Sequence, residues 1–269
     1  MSAIVERRPS LGRLRAARVV AGLLCLVAAV PYFGLIDLAT LVGWVNPAFV
    51  WPVPLEVSWG VLFTFFLAAG YGWVAVVPTR PTPGVAALAI GGGCLVLGAA
   101  LGADGRPLPV AVAVLATTVL LAVLTDARTG VGAWRVHWPY LVLVAPGVAL
   151  WLPYVLSALA ASRLRFGSDI TNGVDHWPVQ ASAGLAVLAG SIALAVWHPG
   201  RPLLRVAVVM SAGLIGVAAL AYPDRDGATE GQLWAIAVVL WALVLALLPV
   251  TAPGGGRRSG SDRTGSDGE

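Results

Sequence analysis

Apolar residues in this chain come in long unbroken runs separated by short polar gaps, without the every-second-residue alternation of a barrel strand. A hydrocarbon core about 30 Å thick takes roughly 20 apolar residues of helix. Eight runs approach that length: residues 19–41, 57–77, 84–103, 107–125, 139–160, 178–198, 206–222 and 231–250. Helices satisfy their backbone polar groups internally where no water reaches. The pattern therefore predicts an all-α, polytopic helical membrane protein of eight transmembrane helices, with the lipid bilayer as its main solvent. Around the runs lie a basic segment 1–18, a first four-helix half 19–125, a linker 126–138, a second half 139–250 and a tail 251–269. The tail is Gly, Ser and charge, too poor in apolar residues to fold alone. The first run continues past residue 30 without a small-x-small cleavage site, so it reads as a span rather than a cleaved signal peptide.

Composition sharpens this picture. Apolar residues make up 58% of the chain and charged ones 11%, with a mean hydropathy of +0.86, far from what keeps a soluble surface wet. All 17 basic residues are arginine, and their placement says more than their sum. With the N-terminus in the cytoplasm, only Arg106, Arg163, Arg165 and Arg225 fall outside, the bias expected of cytoplasmic loops. Eight crossings return the C-terminus to the same side, whereas seven would spoil the asymmetry. The expected location is the inner membrane of a bacterium, multi-pass, with both termini cytoplasmic. Such a distribution is not a nucleic-acid footprint. Cys25 and Cys94 sit inside apolar runs with no disulfide or metal spacing.

The two halves echo one another. NPAFVWPV at 46–53 and NGVDHWPV at 172–179 share Asn, then four residues, then Trp-Pro-Val, each leading into the second helix of its half. Pro31-Tyr32 corresponds to Pro153-Tyr154, and Asp104-Gly105 to Asp226-Gly227. A tandem four-plus-four repeat is the expectation, its halves related by an axis along the membrane normal. Interfacial tryptophan and helix-starting proline also produce such matches without duplication. The triplet His137-Trp138-Pro139, which falls on the cytoplasmic side, is one example.

The shared residues read as architecture: a turn, an interfacial anchor and a helix start. Asp175 and His176 are not shared, their counterparts being Phe49 and Val50. The second loop is thus the chemically specialised one, holding Arg163, Arg165, Asp169, Asp175 and His176 within a short outer span. Against this stands the plain reading of solvated loop charges, with Asp175 favouring the positive end of the next helix. Asp37 lies about 28 Å along the helix from Arg18 at 1.5 Å per residue, near the outer interface where an acid reaches water. Glu56 reads as an acid at a helix start. With Asp224, Asp226 and Glu230 these acids make an outer face suited to a cationic solute.

Within the spans, Pro31, Pro146 and Pro153 remove backbone bonds, and Pro31-Tyr32 and Pro153-Tyr154 mark a candidate path between kinked helices. The path's other polar residues are uncharged, which argues against a pump with buried carboxylate relays. Neither a nucleophile elbow, a phosphate-binding loop nor a zinc-protease motif is present. Only His176 of three histidines lies outside, so the expectation is no metal and no cofactor. Transport or binding of a small solute at the outer face ranks first, without catalytic residues. A membrane-embedded enzyme would instead bring Asp175 and His176 together with Asp37 or Glu56. A scaffold or accessory subunit, meeting a membrane partner or its own copy, would need neither.

Overall fold

The computed structural model describes residues 9–41, 50–127, 134–167, 169–228 and 230–248. The helices are α1 (Leu11–Ala29), α2 (Gly34–Ala39), α3 (Val53–Val61), a π-helical segment (Leu62–Ala68), α4 (Ala69–Val76), α5 (Thr82–Gly102), α6 (Leu108–Thr125), α7 (Trp138–Leu164), α8 (His176–Val196), α9 (Arg201–Ala221) and α10 (Gln232–Leu247). Between α7 and α8 a two-stranded antiparallel hairpin pairs β1 (Ile170–Thr171) with β2 (Val174–Asp175). Among the described residues, seven stretches are long and apolar enough to cross a membrane: Leu11–Ala39, Val53–Val76, Thr82–Gly102, Leu108–Thr125, Trp138–Leu164, His176–Val196 and His198–Ala221. The eighth expected span is the shorter apolar helix α10, 16 residues long. Residues 1–8, 42–49, 128–133, 168, 229 and 249–269 lie outside the described residues. They include the first half of NPAFVWPV, about half the linker and the whole tail.

The largest difference from the apolar runs is at the first helix, which starts at Leu11 rather than 19. Ser10 caps it, its Oγ accepting the Arg13 N–H at 3.5 Å. Arg13, Arg15 and Arg18 interrupt hydropathy but not helix, because arginine is a good helix former and its long stem carries the charge away from the axis.

The helices alternate in direction. The first half forms a ring in which α1 packs on α4 and α6, and α5 on the same two; α7, α8, α9 and α10 close a second ring. The rings meet through α5 on α8, and through α3 and the π segment on α9. The second helix of each half thus packs on the third helix of the other. Gly98 and Gly102 line the α5 side: a Cβ at Gly98 would fall 2.5 Å from the Pro178 carbonyl, so only glycine admits α8 there. Trp59, Phe66, Leu67, Leu88, Leu204 and Val208 fill the shared core.

Helix ends account for many of the arginines. At one end of the bundle, Arg18 donates to the Ala75 carbonyl closing α4 (3.1 Å), Arg13 to Val123 closing α6, Arg201 to Leu194 closing α8 (2.9 Å) and Arg205 to Ala246 closing α10. Each cation meets the negative pole of a helix whose last carbonyls lack intrahelical partners. At the opposite end sit the hairpin and the α5–α6 and α9–α10 turns, and there the candidate site is built.

Candidate functional site

The site begins with a break in the first span. Pro31 cannot donate a backbone bond, and Phe33 takes the left-handed conformation (φ 60°), turning the chain between α1 and α2. The carbonyls released by this turn are taken by side chains from elsewhere. Trp59 Nε1 donates to Tyr32 O at 2.7 Å, and Asn172 Nδ2 to Pro31 O at 3.1 Å. Glycine lets α2 lie against α3: a Cβ at Gly60 would stand 3.0 Å from the Gly34 carbonyl, and one at Gly34 would stand 2.7 Å from that of Ala28. One turn beyond Trp59 the helix widens into the π segment, a distortion that often accompanies functional sites.

NGVDHWPV supplies the other wall. Asn172 (φ 52°) and Gly173 (φ 76°) form the two-residue turn of the hairpin, the Asn-Gly pairing that matches strand twist. Asp175 caps α8, its Oδ1 accepting Trp177 N–H at 2.9 Å, and Trp177 Nε1 donates to the Phe166 carbonyl at 2.6 Å. Gln180, one turn on, donates to Gly227 O at 3.0 Å and ties α8 to the α9–α10 turn. Asn172, Asp175 and Trp177 of the motif are thus each held by a structural bond, whereas one ring nitrogen of His176 is left unpartnered.

His176 is fully buried, its ring against Trp59 with centroids 4.8 Å apart. Its Nε2 lies 2.8 Å from Thr171 Oγ1, while Nδ1 has no hydrogen-bond partner and faces Glu56 Oε1 at 4.0 Å. On its other side the Glu56 carboxyl meets that of Asp37. Asp37 is 2% exposed and Glu56 8%, so the acid expected to reach water at the interface is enclosed instead. Trp59, Phe63 and Tyr32 stack beside the pair, with centroids 4.8 Å (Trp59–Phe63) and 5.7 Å (Tyr32–Phe63) apart. Three ionisable side chains from α2, α3 and α8 thus converge in an aromatic enclosure. Thr171 is the participant that sequence reasoning missed. A hairpin hydroxyl carries no signal of its own, and only the Asn-Gly turn, which folds β1 back toward α8, would have pointed to it.

Asp175 takes a different direction from its neighbour. Its Oδ2 pairs with Arg106 at 3.0 Å, and Arg106 also grips Asp104 at 2.7 Å. Burial pushes the Asp175 carboxyl above the usual aspartate range, against the lowering by the Trp177 N–H and Arg106. Hydrogen bonding to Arg106 holds Asp104 below that range. Asp169 is raised by burial and by Asp226 and Asp175, and its backbone carbonyl accepts His176 N–H at 3.1 Å. Arg165 lines a polar cavity of about 310 Å³ with Asp104, Arg106 and Ser162. Arg163 donates to Leu101 O at 2.6 Å, closing α5. Neither of these two arginines approaches His176 within bonding distance.

The kink residues divide similarly. Pro31 and Tyr32 belong to the site, Tyr32 also lining an apolar cavity of about 190 Å³ with Leu24, Val27, Phe63, Leu67 and Thr117. Pro146 and Pro153 stay inside an unbroken α7. Tyr154 stacks on Trp234 (5.2 Å, 7°) rather than facing Tyr32. Among the described residues no group of three or more His, Cys, Asp or Glu is arranged to hold a metal ion. No protein-family model matches this sequence, no curated protein matches it, and no solved structure matches the fold.

Proposed function

We propose that the chain is a multi-pass protein of a bacterial inner membrane that binds, and by the same site transports, a small cationic solute. In this reading both termini are cytoplasmic and the hairpin end faces outward. The observation that carries it is the meeting of Asp37, Glu56 and His176, from three separate elements, inside an aromatic enclosure. Burying ionisable groups costs several kcal/mol unless a partner offsets it, and acids within spans mark ion and substrate pathways. Two carboxyls in contact suit one positive charge, and stacked Trp59 and Phe63 suit an organic cation. The helix break and the π segment flank the pair and are the places where the backbone can give. The packing of each half's second helix on the other's third supports the four-plus-four repeat as part of this proposal.

Purified protein screened by thermal unfolding against sodium, potassium, tetramethylammonium and short polyamines tests the binding. At least one cation should stabilise the wild type saturably, and Asp37→Asn and Glu56→Gln should abolish the shift. A wild type indifferent to every cation sinks the reading. Topology is tested by single cysteines at Ile170→Cys and Ser259→Cys in a Cys25→Ala, Cys94→Ala background, which should label from opposite sides. Labelling from one side removes the assigned orientation.

A further inference from the structure

The carboxyl pair is enclosed, yet one line of exchangeable protons leads out of it. Thr171 stands half-buried at the edge of the hairpin, its hydroxyl 2.8 Å from His176 Nε2. Across the ring, Nδ1 faces Glu56 Oε1 at 4.0 Å with no other partner, and Asp37 lies behind Glu56 with its Oδ2 also unpartnered. The imidazole is wedged against Trp59, which keeps it in this orientation. A buried ring nitrogen without a partner costs stability, unless the gap closes during work. Rotation of the Glu56 carboxyl by about 1 Å brings it to hydrogen-bond range. The charged groups around His176 are Glu56 from α3, Asp37 beyond it on α2, and Asp169 and Asp175 from the hairpin; Arg106 takes Asp175.

We infer that Thr171 and His176 form the proton path between the hairpin face and the Asp37–Glu56 pair, so that the site trades a proton for its cation. The coupling rests on the solute reading above; the path itself does not.

The proton count closes. In the resting tautomer His176 carries its proton on Nδ1 and accepts from Thr171 at Nε2. Thr171 passes its hydroxyl proton to Nε2 and takes another from water, while the Nδ1 proton moves to Glu56 Oε1. The ring is left neutral with its proton on Nε2. When a cation enters the pair, the Glu56 proton returns to Nδ1, the Nε2 proton leaves through Thr171 to water, and the first tautomer is restored. Uptake and release therefore reset one another without a ring flip.

Infrared difference spectroscopy on the full chain in nanodiscs tests the path without knowledge of the solute, by following the protonated carboxyl band after transfer to heavy water. The band of the pair is the one that Asp37→Asn removes. Its exchange should slow about 100-fold in His176→Phe and Thr171→Val and return to the wild-type rate in Thr171→Ser. The Thr171 variants stand alone if His176→Phe fails to fold. Exchange as fast in Thr171→Val as in the wild type overturns the path, as does the absence of any carboxyl band that Asp37→Asn removes. Exchange that depends on Thr171 in a protein indifferent to every cation leaves the path standing and sinks the solute reading instead.

Discussion

Pro31-Tyr32 in the first span and Pro153-Tyr154 in α7 are the same dipeptide with opposite outcomes: the first ends its helix and the second does not. The proline ring is equally disruptive in both, so the difference lies in what surrounds it. At Pro31 the chain can turn because Phe33 enters the left-handed region, Gly34 leaves room, and Trp59 and Asn172 take the carbonyls. In α7 the backbone is serviced from one side only. Trp241 and Trp234 of α10 donate to Leu143 O (3.0 Å) and Leu150 O (2.7 Å), each three residues before a proline, while Gly147 makes room for the Trp241 indole. Tied to α10 one residue beyond each freed carbonyl, α7 runs on through both prolines. Only the broken span yields a separate short helix that turns Asp37 toward Glu56.

The strongest way to break this comparison is to fill the glycine at the turn. Gly34→Val should cost about 3 kcal/mol in thermal unfolding and remove cation stabilisation, because its added carbons meet the Ala28 carbonyl. Gly147→Ala, whose Cβ would meet Trp241 at 2.8 Å, should cost about 1–2 kcal/mol and leave cation stabilisation intact. Equal loss of binding in both would mean that the site is not tied to the break.

Removing indole donors comes next. Trp59→Phe and Trp234→Phe should each lose about 1 kcal/mol, since each removes one indole hydrogen bond to a backbone carbonyl. Only Trp59→Phe should weaken cation binding, by about tenfold if one cation–π contact is lost. Titrations of the two variants side by side decide the matter.

The smallest effects concern the two carboxyls that share Arg106, and they carry opposite signs. Asp104 is held below its ordinary value, so the unfolded chain takes the proton first on acidification. Its contribution is present above the ordinary aspartate pKa of about 3.9 and is lost as pH falls through the depressed value. Asp175 is raised by burial, so the folded chain takes the proton first, and its contribution is lost as pH rises through the raised value. Melting profiles against pH should therefore flatten on the acid side in Asp104→Asn and on the higher-pH side in Asp175→Asn. Each change should stay within about 1 kcal/mol. Identical profiles for the two variants would contradict the division of Arg106 between them.

How far the chain could be read in advance depends on the range of the interaction involved. Runs of apolar residues marked the helices to within a few residues at most ends, because the need for about 20 of them is a local, additive property. Local chemistry likewise announced the Asn172 turn and the placing of Asp175 at the start of α8. The neighbours of a polar residue are not local. Asp175 and His176 are adjacent in sequence, yet one faces Arg106 and the other Glu56, since successive residues entering a helix point about 100° apart. Position along the axis placed Asp37 near the bundle's end, but its enclosure depended on a turn at Pro31 held by side chains 27 and 141 residues away. Hydropathy alone thus determined the all-helical layout and the helix-forming segments. Tertiary structure alone decided which proline breaks its helix and which carboxyls meet, because each of those outcomes is settled by partners that only the folded bundle brings within bonding distance.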